Sequence, residues 1–270
     1  MKIRNLVLIC LLISLFVSCR KNKNDKDLFS DDISLAKVLV DGKLRVGVAS
    51  NYPPLCFSDG RGGLQGFDLD ILTAVADFMD IDIEFVGMDW TEKFNFLTAD
   101  KIDCIASGFS ATPEREKIVE FSMPYFKNAQ VIVVRAGENI KTLEDLKNKT
   151  VGVQKGALGM DILNAYLKDT VKTIKTYSTI MPAFSDLKDR GVDACITDFC
   201  SVAYLINQEG NRYEILENCL ASDSYVFAFK KGAVSLKDEI NEVLLELEEK
   251  GVLEKISRKW FGSNVIIIGK

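Results

Sequence analysis

The sequence predicts an α/β protein of two lobes, each of them a doubly wound sheet. Strand-like and helix-like segments alternate along most of the 270 residues, which is the order found in α/β lobes. The alternation restarts near residue 130, so the chain holds two such units. With 47% hydrophobic residues, the chain can bury a core large enough for both lobes.

Residues 1–18 predict a signal peptide and not a membrane span. Lys2 and Arg4 give a basic start, and the apolar run that follows covers residues 6–17. As a helix this run would be about 18 Å long, whereas the hydrocarbon core of a bilayer is roughly 30 Å thick. We therefore expect the segment to direct export and to be removed.

Cys19 is the predicted lipidation site. It follows Phe16-Val17-Ser18, a run that resembles a bacterial lipobox, although leucine is usual at the first of these positions. Ordinary secretory cleavage at the same point is the alternative. Residues 19–36 would form the lipid anchor and a polar tether, because residues 20–27 contain no apolar side chain. The sequence thus predicts an exported protein that is attached to the cell membrane through its N-terminal lipid.

Charge and composition exclude several classes of function. Removing the signal leaves 32 basic residues (34 less the two in the signal) against 39 acidic ones, without a basic patch, so nucleic acid is not an expected partner. The chain has no histidine, which excludes histidine-based triads and most transition-metal sites, and we expect neither a metal nor a cofactor. An odd number of cysteines follows Cys19, and their pairing is left open. They are Cys56, Cys104, Cys195, Cys200 and Cys219.

The first lobe is predicted from a β-α-β-α-β order. Its opening strand runs into Tyr52-Pro53-Pro54, where two prolines enforce an extended loop. A glycine-rich turn over residues 59–66 indicates a hairpin. A helix then begins at Phe67, because the apolar residues after it recur at helical spacing. The other predicted elements are helices over 33–39 and 91–100 and strands over 43–49, 81–88 and 103–106.

The stretch from Ser110 to Arg115 predicts a carboxylate-binding site. It follows a buried strand, and Thr112-Pro113 indicates a helix start, with a hydroxyl cap followed by a proline. The planar guanidinium of Arg115 matches a carboxylate in two hydrogen bonds, and the N–H groups of a helix start favour negative charge. The alternative is an ordinary solvated arginine. The binding interpretation is favoured because the ligand loops of an α/β lobe leave the carboxyl ends of its strands.

The second lobe repeats the pattern, and Asp198 stands at the carboxyl end of one of its strands. The last two helices would cover the first lobe, so the chain must cross between lobes near 128–133 and near 223–227. Two crossing strands form a hinge, which suits closure around a small ligand. This assigns 37–129 and 224–270 to the first lobe and 130–223 to the second. The predicted elements are strands over 130–134, 150–154, 193–197 and 224–230, and helices over 142–146, 158–168, 181–188, 199–208, 236–250 and 253–260.

Short motifs follow one another in a characteristic order between residues 44 and 262. They are Tyr52-Pro53-Pro54, Gly66-Phe67-Asp68-Leu69-Asp70, Lys101-Ile102-Asp103, Thr112-Pro113-Glu114-Arg115, Val119-Glu120-Phe121-Ser122-Met123-Pro124-Tyr125, Leu143-Glu144-Asp145-Leu146, Val151-Gly152-Val153, Gly191-Val192-Asp193-Ala194 and Lys259-Trp260-Phe261-Gly262. Together they resemble the family 3 extracellular solute-binding proteins of amino-acid ABC transporters. The resemblance implies a type II periplasmic-binding-protein fold, no enzymatic activity, an amino-acid ligand and a permease as partner. We expect such a protein to be a monomer.

The resemblance implies a site for an amino-acid zwitterion. Arg115 would hold the α-carboxylate, with Ser110 and nearby backbone N–H groups assisting. Asp198 would take the α-ammonium together with the backbone carbonyl of Gly108. One fixed cation and one fixed anion on opposing lobes are both satisfied only when the cleft closes.

Two aromatic residues are implied to flank the ligand's side chain. Tyr52 and Phe67 would bury its apolar part and offer ring faces to a cation. Each of them could instead be a core aromatic. We interpret Asp68 and Asp70 as residues that cap the helix and favour its dipole, not as ligand contacts.

Two departures from the family's pattern bear on the ligand's side chain. Ala49 stands where the family often has an acid, and a basic ligand would then lack its counter-charge. Ala157 and Leu158 stand where a serine or threonine usually assists the carboxylate, and Gln154 and Lys155 could compensate. We therefore expect an uncharged amino acid, polar or partly apolar.

An enzyme on the same fold is the alternative function. Related folds include cyclohexadienyl dehydratases, which eliminate water from an arogenate-like substrate and need a positioned general acid. The nearby glutamates are Glu84, Glu92 and Glu120, and none falls clearly at a strand's carboxyl end. The sequence therefore favours a receptor without enzymatic activity that delivers an amino acid to a membrane permease.

Overall fold

The computed structural model describes residues 31–217 and 219–270. The predicted signal peptide and Cys19 lie outside the described residues. Over the part of the chain that is described, no helix is both long and apolar enough to cross a membrane.

Parallel strands form the first half of the main sheet. The elements of this half of the chain are α1 (Ser34–Asp41), β1 (Lys43–Val48), β2 (Asn51–Tyr52), β3 (Cys56–Ser58), β4 (Leu64–Gln65), α2 (Phe67–Phe78), β5 (Asp82–Gly87), α3 (Lys93–Thr98), β6 (Cys104–Ser110), α4 (Pro113–Glu116) and β7 (Val119–Phe121). The short strands β2, β3 and β4 pair with one another in a separate small sheet. β1 lies between β5 and β6 and pairs in parallel with both. Parallel strands need crossovers, and α2 and α3 supply them. The predicted β-α-β-α-β order is confirmed.

The second half of the sheet repeats this construction. Its elements are β8 (Phe126–Arg135), β9 (Thr150–Gln154), α5 (Leu158–Ile162), β10 (Thr173–Tyr177), α6 (Ile180–Lys188), β11 (Ala194–Asp198), α7 (Phe199–Glu209), β12 (Tyr213–Ile215), β13 (Ala221–Lys230), α8 (Val234–Glu249) and α9 (Val252–Phe261). β9 pairs in parallel with β10 and β11. The sequence analysis missed β10, whose residues are only partly buried because it lies at the edge of the sheet.

The strands β8 and β13 join the two halves. They pair antiparallel with each other, and beyond that pairing β13 continues onto β6 while β8 continues onto β11. The strand order over the described residues is therefore β10-β9-β11-β8-β13-β6-β1-β5. The two predicted crossings fall within these strands, which are longer than predicted because residues 126–130 of β8 pair with residues 221–225 of β13. The exact lobe boundaries stay a prediction.

The C-terminal helices pack back onto the first half, as predicted. The side chains of Lys259 and Trp260 on α9 donate to Oδ2 of Asp70 on α2, at 2.6 and 2.7 Å. The prediction that Asp70 caps its own helix is therefore wrong. The helix starts at Gly66, which offers no side chain as a cap, and Asp70 instead fixes the last helix against α2.

Candidate functional site

A small cavity is lined by residues from both halves of the chain. The predicted ligand-binding residues all line it, with the exception of Phe67. Ala49 and Ser107, which stand at the carboxyl ends of predicted strands, line it as well, and so does Trp90, which the sequence analysis did not single out. The carboxyl ends of the parallel strands therefore converge on one site, as expected for α/β lobes.

Arg115 enters the cavity from the first turn of α4. Thr112 caps this turn, since its Oγ1 accepts from the backbone N–H of Arg115 at 3.2 Å, and Pro113 follows as the first helical residue. The predicted helix start is thus confirmed. The side chain is only 7% exposed, and burial lowers the pKa of its guanidinium below the ordinary value.

The charge of Arg115 has few partners within the described chain. Nη1 donates to the backbone carbonyl of Ser110 at 3.0 Å, and the guanidinium lies 4.8 Å from the ring centre of Phe109. The nearby carboxylate of Asp161 is 3.9 Å away on a side chain that is 65% exposed. A guanidinium carries five N–H donors, so this arrangement leaves capacity for a carboxylate in the cavity.

Asp198 ends β11 and is also 7% exposed. Its Oδ1 accepts from the side-chain amides of Asn128 and Gln130, both at 2.6 Å, and its Oδ2 accepts from the hydroxyl of Tyr52. Burial raises the pKa of Asp198, and these hydrogen bonds oppose the rise. Tyr52 belongs to the first half of the sheet, so its bond to Asp198 crosses the cavity.

Asn128 links Asp198 to a second buried carboxylate. Its Nδ2 donates to Oδ1 of Asp198 and also to Oδ1 of Asp223, at 2.9 Å. Burial, together with the charge of Asp198, raises the pKa of Asp223 to about 6. Two acids that share one donor favour a cation nearby, because a positive charge would relieve their mutual repulsion.

The prediction that Phe67 flanks the ligand is wrong, because Phe67 does not line the cavity. Trp90 lines it instead. Phe67 is 0% exposed and packs against the rings of Tyr125, Phe126 and Phe261. It is therefore the core aromatic that the sequence analysis left open as an alternative. Trp90 lies three residues after the carboxyl end of β5. The rule that ligand residues follow the carboxyl ends of parallel strands, which located the other residues, could therefore have located it too.

The backbone of Ser107 and Gly108 turns sharply at the cavity wall. Both residues have positive φ, 76° and 69°, and a Cβ on Gly108 would lie 2.6 Å from the side chain of Leu55. Oδ2 of Asp68 accepts from both backbone N–H groups, at 2.8 and 2.9 Å. The prediction that Asp68 caps its helix is therefore wrong, because this buried acid holds the turn that lines the site.

The second half of the sheet supplies a mostly uncharged wall. Gln154 ends β9, and Ala157 and Leu158 stand at the start of α5. Ala157 makes no side-chain cap of that helix, as expected for a residue without a hydroxyl. The role of these three residues in binding stays a prediction.

The arrangement can hold a molecule that carries both charges. Arg115 and Asp198 present opposite charges to one cavity, whereas the glutamates considered as general acids bond elsewhere. Glu84 pairs with Lys43, Glu92 accepts from Asn95 and Glu120 pairs with Lys231.

The cysteines at 56, 104, 195 and 200 are free and buried, and the one at 219 is free and exposed. Among the described residues, no group of three or more acids or cysteines is placed to hold a metal ion.

Comparisons with known proteins identify similar chains. The family model for bacterial extracellular solute-binding proteins, family 3, matches residues 44–263. The chain is 28% identical to the L-cystine-binding protein TcyJ of Escherichia coli (strain K12), over 88% of this chain and 89% of that protein. The crystal structure of Tv2483 bound to L-arginine matches with a TM-score of 0.84 and 34% identity, over 88% of this chain and 98% of that one.

A second structure matches equally well. It is the substrate-binding protein of an ABC uptake transporter from Streptococcus pneumoniae with bound histidine, at a TM-score of 0.84 and 33% identity. The match covers 88% of this chain and 99% of that one.

The raised pKa of Asp223 predicts a pH-dependent cost to stability. The pKa is about 6 in the folded chain against an ordinary 3.8, so the folded state binds more protons between these values and its stability falls as pH rises through them. Asp223→Asn removes this contribution. We expect the variant to gain up to about 3 kcal/mol relative to the wild type between pH 4 and pH 7.5, measured by urea unfolding. Asp189→Asn, at an exposed position, is the matched control, and an equal difference at both pH values would contradict the prediction.

Proposed function

The chain belongs to the bacterial extracellular solute-binding proteins of family 3, and we propose that it binds one free amino acid in the cavity between its lobes and delivers it to the permease of an ABC transporter. Its fold is the two-lobe, type II fold of periplasmic amino-acid-binding proteins. The protein is a binding protein and not an enzyme.

One observation carries this proposal: Arg115 and Asp198 are buried opposite charges that face the same cavity from different halves of the sheet. A free amino acid carries a carboxylate and an ammonium on the same α-carbon, so it can neutralise both. In our proposal Arg115 holds the carboxylate with help from Ser110, and Asp198 holds the ammonium with the carbonyl of Gly108. Binding then favours closure because the two halves of the site lie on different lobes.

We propose that the bound amino acid has an uncharged side chain. Within the described chain, the carboxylate that lines the cavity is that of Asp198, and the ammonium occupies it. Ala49, Tyr52, Trp90 and Leu158 offer apolar or aromatic surface to the side chain. A basic head group placed among them would be desolvated without a counter-charge.

We further propose that the protein works as a monomer tethered to the membrane. Family 3 members are extracellular proteins, and the signal-like residues 1–18 support export. Lipidation of Cys19, with residues 19–36 as anchor and tether, would keep the binding protein near its permease. The lobes would comprise 37–129 with 224–270, and 130–223, and would move about β8 and β13.

The proposed ligand class predicts the outcome of a titration panel. Each of the twenty amino acids, and L-cystine, is titrated into the purified protein by calorimetry. We expect the tightest binding from an uncharged amino acid, with lysine and arginine at least about tenfold weaker because their head groups lack a partner. Tight arginine or lysine binding would overturn the proposed class.

Incubation with arogenate or prephenate should release no aromatic product.

We predict that removing the guanidinium of Arg115 weakens binding of the amino acid with little loss of stability. Arg115→Ala should weaken the affinity for the best ligand of the panel by at least about a hundredfold, since truncating one partner of a buried charge pair leaves the other unpaired. Calorimetry measures the affinity, and thermal melting followed by circular dichroism checks the fold. Arg61→Ala removes an exposed arginine and serves as the matched control. Wild-type affinity in the Arg115 variant would refute the assignment.

A further inference from the structure

Lys93 is a buried lysine at the edge of the cavity. It is the first residue of α3 and is 3% exposed. Its Nζ donates to the backbone carbonyl of Trp90 at 3.0 Å and to that of Gly156, also at 3.0 Å. Trp90 belongs to the first half of the sheet and Gly156 to the second, so one ammonium connects the two halves.

No carboxylate within the described chain lies at ion-pair distance from Lys93. The side chain is instead surrounded by the two carbonyls and by the rings of Trp90 and Phe94, whose centres lie 5.0 and 4.8 Å from Nζ. Burial and the positive charge of Arg115 lower its pKa to about 7. Lysine is rarely buried without an acidic partner, so this position calls for a role beyond packing.

The geometry around Gly156 explains why a lysine reaches it. Gly156 has a positive φ of 70°, and a Cβ there would lie 3.4 Å from Nζ of Lys93. That distance is an ordinary van der Waals contact, so the positive φ is what favours glycine at this position. Gly156 directly precedes Ala157, which lines the cavity, and the indole of Trp90 lines it from the other side. Lys93 thus holds a residue of each wall through its backbone.

We propose that Lys93 is a positioning residue that holds the two lobes closed over the bound amino acid. The inference rests on the proposed function. Its bonds use backbone carbonyls that the amino acid does not need, so they persist when the site is filled. The bond from Tyr52 to Asp198 differs in this respect, because the ligand's ammonium would compete for the same carboxylate.

Another bond between the lobes is weaker than that of Lys93. The side chain of Asn51 donates to the hydroxyl of Thr179 at 3.4 Å, in an exposed position where water competes. The bond from Lys93 to Gly156 is shorter, at 3.0 Å, and partly buried, and its donor carries a charge when protonated. A bond that forms only on closure opposes reopening, so it acts on dissociation more than on association.

The test compares Lys93→Met with the wild type by stopped-flow fluorescence, with L-glutamine, L-histidine and L-arginine as probes. We expect dissociation to be about tenfold faster in the variant and the association rate to stay within about threefold. The charged hydrogen bond across the lobes exists only in the closed state, so its removal destabilises that state and not the open one. Lys147→Met removes an exposed lysine of the same half as Gly156 and is the matched control, with wild-type rates expected. Lys93→Gln is a second variant, and thermal melting checks that both are folded.

Two results separate this inference from the proposed function. Wild-type dissociation in folded Lys93→Met would overturn the role of Lys93 alone, and so would slower association with unchanged dissociation. Failure of the wild type to bind all three probes, and every other amino acid of the titration panel, would overturn the proposed function and this inference with it.

Discussion

Burying Arg115 and Asp198 against one cavity costs solvation free energy that neighbouring groups offset only in part. Asp198 accepts from three donors, whereas the guanidinium of Arg115 has one backbone carbonyl and, at 3.9 Å, the exposed carboxylate of Asp161. An uncompensated buried charge is costly, and replacing water by a ligand of opposite charge relieves that cost. The fold brings the two charges together, because Arg115 lies on α4 of the first half and Asp198 ends β11 of the second half.

The strand β8 (Phe126–Arg135) belongs both to the predicted hinge and to the site. Its Asn128 and Gln130 donate to Asp198, and Asn128 also reaches Asp223 on β13. Movement of one half relative to the other would therefore occur next to the groups proposed to hold the ammonium. This places ligand capture and lobe closure within one hydrogen-bonded network and needs no long-range transmission between them.

The fold and the charged residues could be predicted because their signals are local. Hydrophobic periodicity indicates each strand and helix, and the strand-end rule locates Arg115 and Asp198. The aromatic wall could not be predicted from a motif, because the orientation of Phe67 depends on rings that are distant in the sequence. Trp90 followed the same strand-end rule and was overlooked. Lys93 gave no signal, since a lysine at a helix start is usually solvated, whereas here Trp90 and Phe94 of its own half and Gly156 of the other half surround its ammonium.

The central claim is that Arg115 and Asp198 hold the two charged groups of one amino acid. A crystal structure of the protein with its copurified or added amino acid tests this most directly. We predict that the ligand carboxylate lies about 3 Å from the guanidinium of Arg115 and that the ammonium contacts Asp198 in place of the hydroxyl of Tyr52. A ligand with its carboxylate turned away from Arg115, or bound outside the cavity, would contradict the account.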